Sequence, residues 1–262
     1  MRFATATLLR TASLVTSITS VVAISLAAGA PVFADSVTIP SAFASTEGNV
    51  NKGFGAALTY QVVYDSSLLT GLNVGDQITG LTFRLNGVNS SSPALLTQNF
   101  DVYLGPSNFA AGSLSDSVVA NQGTGTVQVQ SGALSLAANA FTDTGGLGPN
   151  PFGQVITFNS SYTYTGSNLL LTVSSTAFNA NILLDANTGT VGTQLRQAFS
   201  YNALTTDLNF LNYTPITQLQ VERAVVSPTA PEPGSAALLL SVVGAGIFVA
   251  GKQWRRRYTG VS

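Results

Sequence analysis

Between Ala57 and Val226 the apolar residues come in short runs with a two-residue period or none, and each run is cut off by Gly, Asn, Ser or Pro. A helix needs apolar positions three and four apart over ten or so residues, so this pattern directs the chain into short strands. Phe100 to Leu104 is the cleanest case, with Phe100, Val102 and Leu104 on one face and Asp101 and Tyr103 on the other. Thr124 to Gln130 sets Thr126, Gln128 and Gln130 against Val127 and Val129. Strand formers also fill Ala57 to Tyr64, Ile78 to Leu85, Val155 to Phe158, Tyr162 to Tyr164, Leu169 to Val173, Ile182 to Leu184, Gln194 to Ser200 and Gln218 to Val226. The expected fold class is all-β, a single β-sandwich or jelly-roll-like domain spanning residues 35–226. Leu134 to Phe141 is the one body segment able to make two helical turns, and it fits an edge strand and loop equally well. Gly145 to Pro151 is too rich in Gly and Pro for either, and predicts a long loop.

The two ends differ from this body. Residues 1–34 have the layout of a secretory signal peptide: Arg2 and Arg10 in the n-region, an uncharged Leu14 to Ala28, and a small residue before a cut between Ala34 and Asp35. A buried N-terminal helix or an uncleaved anchor is the alternative, disfavoured by the short segment and by Pro31. At the far end, residues 227–234 form a Pro-rich stalk containing Pro231, Glu232 and Pro233. Ser235 to Gly251 is a run of 17 uncharged residues, the lower limit for a transmembrane helix. Residues 252–262 then carry Lys252, Arg255, Arg256 and Arg257, cations expected to remain cytoplasmic as a stop-transfer cluster.

That partition changes the meaning of the near-neutral whole chain, whose net charge is −1. Residues 35–231 keep four cations, Lys52, Arg84, Arg196 and Arg223, against ten acids, a net charge of −6. Nothing in such a body can neutralise a row of phosphates, so nucleic acid is not an expected partner.

Pro231-Glu232-Pro233, a membrane-length apolar run and an Arg cluster close to the end of the sequence together resemble the PEP-CTERM protein-sorting signal. The resemblance covers about the last 30 residues. It implies recognition by an exosortase-type membrane protease, transient residence in the inner membrane, and cleavage near the Pro-Glu-Pro. It also implies a final place at the bacterial cell surface or in an extracellular polysaccharide or biofilm matrix. The successive runs ITGLTFRL, FDVYLG and ITFNSSYTYTGSNLLLTV also resemble exported sandwich domains that carry this signal. That similarity implies a hairpin in which Tyr162 to Tyr164 enters, Thr165 to Asn168 turns and Leu169 to Val173 returns.

The body has little with which to do chemistry. The chain has no Cys and no His, which removes thiolate nucleophiles, His-based triads and the commonest metal ligands. A glycosidase needs only two carboxylates, but Glu47, Glu222 and the body's aspartates show no spacing that pairs them, and each fits a solvated face or a turn. Asp185 and Asn187, in Asp-Ala-Asn-Thr-Gly at a strand end, are the nearest approach to a calcium loop and fit an Asx turn better. No cofactor is expected. Carbohydrate binding is the alternative function, with Tyr103, Tyr162, Tyr164, Tyr201, Phe210 and Tyr213 as aromatic platforms, although aromatics at strand spacing more often serve a core.

Overall fold

The computed structural model describes residues 34–224, except 88–90, 147, 189–194, 202–207 and 212. The signal peptide, the stalk with Pro231, Glu232 and Pro233, the apolar run and the basic cluster therefore lie outside the described residues. The chain divides into two compact units, Met1–Ala224 and Val225–Ser262, and the first holds every described residue.

Nearly all the regular structure of the described chain is strand. In order it forms β1 (Ala34–Ile39), β2 (Val50–Phe54), β3 (Leu58–Tyr64), β4 (Gln77–Thr82), β5 (Leu95–Thr97), β6 (Phe100–Pro106), β7 (Val127–Gln130) and β8 (Leu134–Leu136). Beyond these lie β9 (Ile156–Thr163), β10 (Leu169–Ser175), β11 (Ile182–Asn187), β12 (Leu195–Tyr201), β13 (Asn209–Leu211), β14 (Thr214–Pro215) and β15 (Thr217–Glu222). A single turn of helix, α1 (Val118–Asn121), is capped by the Ser117 hydroxyl. All strand pairs are antiparallel: a four-stranded sheet β1-β15-β4-β9, a six-stranded sheet β13-β12-β3-β10-β6-β7, a three-stranded sheet β14-β11-β2 and the pair β5-β8.

The core explains the sequence pattern. Phe100, Val102 and Leu104 are fully buried while Asp101 and Tyr103 stay half-exposed, as the alternation predicts. Leu58, Tyr60, Val62 and Tyr64 of β3 enter the same core as Ile78 and Leu81 of β4 and Leu219 and Val221 of β15, so the four- and six-stranded sheets share it. Phe54, Phe83, Phe100 and Phe178 pack there with ring centroids 4.9–6.3 Å apart, a range in which tilted and edge-to-face contacts are favourable.

β3 is buried on its other face as well, which the sequence pattern does not foretell. The excursion between β6 and β7 lays Ala111, Leu114 and Val118 over Val63, Leu170 and Ala198. Gln61 is wholly buried beneath it, and every polar group of its side chain is used. Its amide donates to the Val118 carbonyl (3.0 Å) and the Thr172 hydroxyl (2.9 Å), and its oxygen accepts from Asn121 (2.8 Å).

Three sequence-based expectations need correction. The expected strands Val155 to Phe158 and Tyr162 to Tyr164 merge into one, β9 (Ile156–Thr163), with exposed Asn159, Ser160 and Ser161 inside it. These polar residues face outward, where Ser160 donates to the Gln128 carbonyl and the Asn159 side chain accepts from the Ser131 amide. Tyr162 to Val173 is not a hairpin, because β9 pairs with β4 while β10 pairs with β3 and β6. Tyr162, Tyr164, Leu169, Leu171 and Val173 all bury into one core, and the chain achieves this by crossing between sheets. Gly166, at φ +88°, makes the turn, and Asn168 anchors it by accepting from the Ser107 and Ser66 amides. Asp185, expected at a strand end, lies inside β11 and is fully buried. Leu134 to Phe141 resolves its ambiguity as β8 followed by a turn in which Asn139 adopts φ 64°.

Candidate functional site

Several of the sequence-derived candidates lie among the described residues. Asp35 stands at the start of β1, where it accepts from Arg223 Nη2 and, at 3.1 Å, from Nε. Arg223 Nη1 reaches the buried Asp76 at 2.8 Å and the Gly71 carbonyl at 2.6 Å, and Asp76 also accepts from the Ala224 amide at 3.0 Å. The Arg223 hydrogen bond holds the Asp35 carboxyl below its ordinary range. For Asp76, burial opposes ionisation, but the Ala224 and Asn73 amides and Arg223 outweigh it and lower the pKa. This clasp ties the first described strand to the last described residues.

Asp185 has no ligand-free oxygen to offer a cation. Its Oδ2 takes Arg84 Nε at 2.7 Å and its Oδ1 the Gly48 amide at 2.9 Å. Arg84, itself 1% exposed, also donates to the Thr46 carbonyl at 2.5 Å and lies 5.1 Å from the Phe152 ring. A calcium ion at Asp185 and Asn187 would have to displace that guanidinium, and the described residues contain no cluster of three or more acidic side chains placed to hold a metal. Three other described acids serve local structure: Asp65 caps a turn at Ser67, Asp143 closes one at Gly145, and Asp101 accepts from Asn99.

The arrangement with most chemical content surrounds a residue the sequence did not single out. Lys52, in β2, is 5% exposed, and its ammonium lies 4.9 Å from the Phe199 ring and 5.5 Å from the Tyr213 ring. With the Gln197 amide oriented to satisfy its neighbours, the Gln197 oxygen accepts from Lys52 Nζ at 3.1 Å and its nitrogen donates to the Tyr213 carbonyl at 3.3 Å. Arg84 and Arg223 are paired with carboxylates, whereas Lys52 has no ion pair among the described residues. Desolvation without a counter-charge pushes its pKa down to about 8.

Lys52 lines a cleft of about 530 Å³, a volume typical of small-molecule sites. The other walls include Gly53 of β2, Gly55 just beyond it, the 178–181 loop, Tyr201 and Tyr213. Gly55 permits the close approach of that loop, since a Cβ there would sit 2.6 Å from Asn181 Cα. Tyr201 is 55% exposed and braced edge-on by Phe199 at 5.3 Å. Of the aromatic candidates, the structure therefore brings Tyr201 and Tyr213 together, places Tyr162 and Tyr164 in the core, and leaves Tyr103 on β6. A signal for Lys52 existed in its scarcity, as one of four body cations, but its burial depends on strands distant in sequence.

No helix among the described residues is long and apolar enough to cross a membrane. Comparison with protein families, curated proteins and solved structures yields no match.

Proposed function

We propose that this chain is an exported, non-enzymatic surface or extracellular-matrix protein, delivered through a C-terminal sorting signal of the PEP-CTERM kind. The signal peptide is removed between Ala34 and Asp35, and an exosortase-type membrane protease cuts near Pro231-Glu232-Pro233. The remaining body is a single sandwich of jelly-roll-like form, with the four- and six-stranded sheets as its two layers. The observation that carries this reading is the order of Pro-Glu-Pro, 17 uncharged residues and four cations, which begins beyond Ala224, the end of the first compact unit. Cleavage at the motif would remove none of the groups in the Arg223 clasp or the core. Intact-mass measurement of the protein from its producing cell tests the proposal: loss of Trp254 and the Arg cluster is expected, and their retention would refute it.

A second reading, a secreted carbohydrate-binding or carbohydrate-active domain, is favoured by the aromatic-walled cleft at Lys52. A pull-down with neutral and acidic polysaccharides tests it, and binding to neither would remove it.

A further inference from the structure

We propose that the Lys52 cleft binds a carboxylate-bearing sugar ring, a uronate unit of an acidic polysaccharide. The Lys52 ammonium takes the carboxylate, the Tyr201 face takes the ring and the Asn181 amide takes ring hydroxyls. This rests on the carbohydrate-binding reading and adds the charge of the ligand to it.

The ammonium is the decisive group. A desolvated cation without an anion is costly, and the chain holds few cations to place. Two of the body's four, Arg84 and Arg223, neutralise buried acids, while Lys52 sits between two aromatic rings and a neutral amide oxygen. One hydrogen of Lys52 is used by Gln197, which leaves two for an incoming acceptor. A single ammonium, with no second cation lining the cleft among the described residues, matches a monoanionic carboxylate better than a phosphate dianion. The remaining walls are suited to a hydroxylated ring: an exposed Tyr201 offers a flat apolar face with a polar edge. Asn181 is exposed, whereas Asn179 already serves the Leu96 amide and the Ala94 carbonyl.

The charge of the rest of the body bears on the same ligand. Its net value of −6 repels polyanions, so an acidic glycan can be held only by a directed contact and not by a general field. The cleft also lies away from the chain's exit. Leu58 and Tyr201 are paired at one end of the six-stranded sheet, and the loop holding Gly71 and Asp76, which grips Arg223, departs from Tyr64 at the other.

Calorimetric titration of the full-length chain in detergent tests this, using hexamers of galacturonate, glucuronate and mannuronate, their carboxyl-reduced neutral counterparts, and hexaglutamate. At least one uronate hexamer is expected to bind more than about tenfold tighter than its reduced form and than hexaglutamate. Lys52→Met, verified as folded by thermal unfolding, should weaken that binding by at least about tenfold. Tyr201→Ala, at an exposed position, should weaken it roughly fivefold or more, with Tyr201→Phe restoring it. Equal affinity for the reduced hexamers, undiminished binding by Lys52→Met, or no binding of any uronate hexamer would each overturn the proposal. Tight binding of the neutral hexamers alone would overturn it while leaving the carbohydrate-binding reading in place.

Discussion

Lys52 and Arg84 show how differently two buried cations can be treated by one domain. Arg84 shares hydrogen bonds with Asp185 and the Thr46 carbonyl, so Arg84→Met strands a buried carboxylate and should cost about 3–5 kcal/mol in denaturant unfolding. The double variant Arg84→Met with Asp185→Leu should recover much of that loss, because no uncompensated charge remains. Among the described residues the Lys52 ammonium meets only a neutral amide and two rings, so Lys52→Met should raise stability at pH 7 by roughly 1–2 kcal/mol, desolvation outweighing the lost cation–π contact. The pH dependence has a definite sign. Lys52 is depressed to about 8 in the folded state from an ordinary 10.5, so between these values the unfolded chain holds a proton the folded one has released. Stability of the wild type relative to Lys52→Met should therefore rise from pH 8 towards 10.5. Phe199, Tyr213 and Gln197 are the groups that face the ammonium in the wild type.

At the scale of elements, β1 and β15 are held by more than their ladder. Arg223 joins Asp35 to Asp76, and Arg223→Ala leaves the buried Asp76 with backbone amides alone, an expected loss of about 1–3 kcal/mol. Because the Asp76 pKa is lowered on folding, its contribution is present above the ordinary carboxylate range and is lost as pH falls through the folded value. Acid unfolding should accordingly begin at higher pH in Arg223→Ala than in the wild type. Elements were legible in the sequence where side chains alternate or cluster, as in β3, β6 and β10. They were not legible where a strand is two or three residues long, as in β5, β13 and β14, or contains Lys and Gly, as in β2. Sheet membership was harder still. Thr165 to Asn168 has the composition of a hairpin turn, and only the burial of Tyr162 and Leu171 in one core forces it to cross between sheets. The cleft was half legible: Tyr201 and Tyr213 are conspicuous as aromatics, whereas a lysine is made into a site by the approach of Gln197, Phe199 and Tyr213 from distant parts of the sequence.

For the whole molecule, the proposed function gives the acidic strand-built body and its basic, apolar ends separate tasks. The described unit satisfies its own core and its own terminal clasp by Ala224, so the proposed processing should leave its thermal unfolding unchanged within about 0.5 kcal/mol of the unprocessed chain. The proposed surface or matrix role depends on that processing taking place. Intact-mass spectrometry of the protein recovered from the producing cell is its most direct test. The expected species begins at Asp35 and ends close to Pro231-Glu232-Pro233; a species that still carries Trp254 and Arg255 to Arg257 would contradict it.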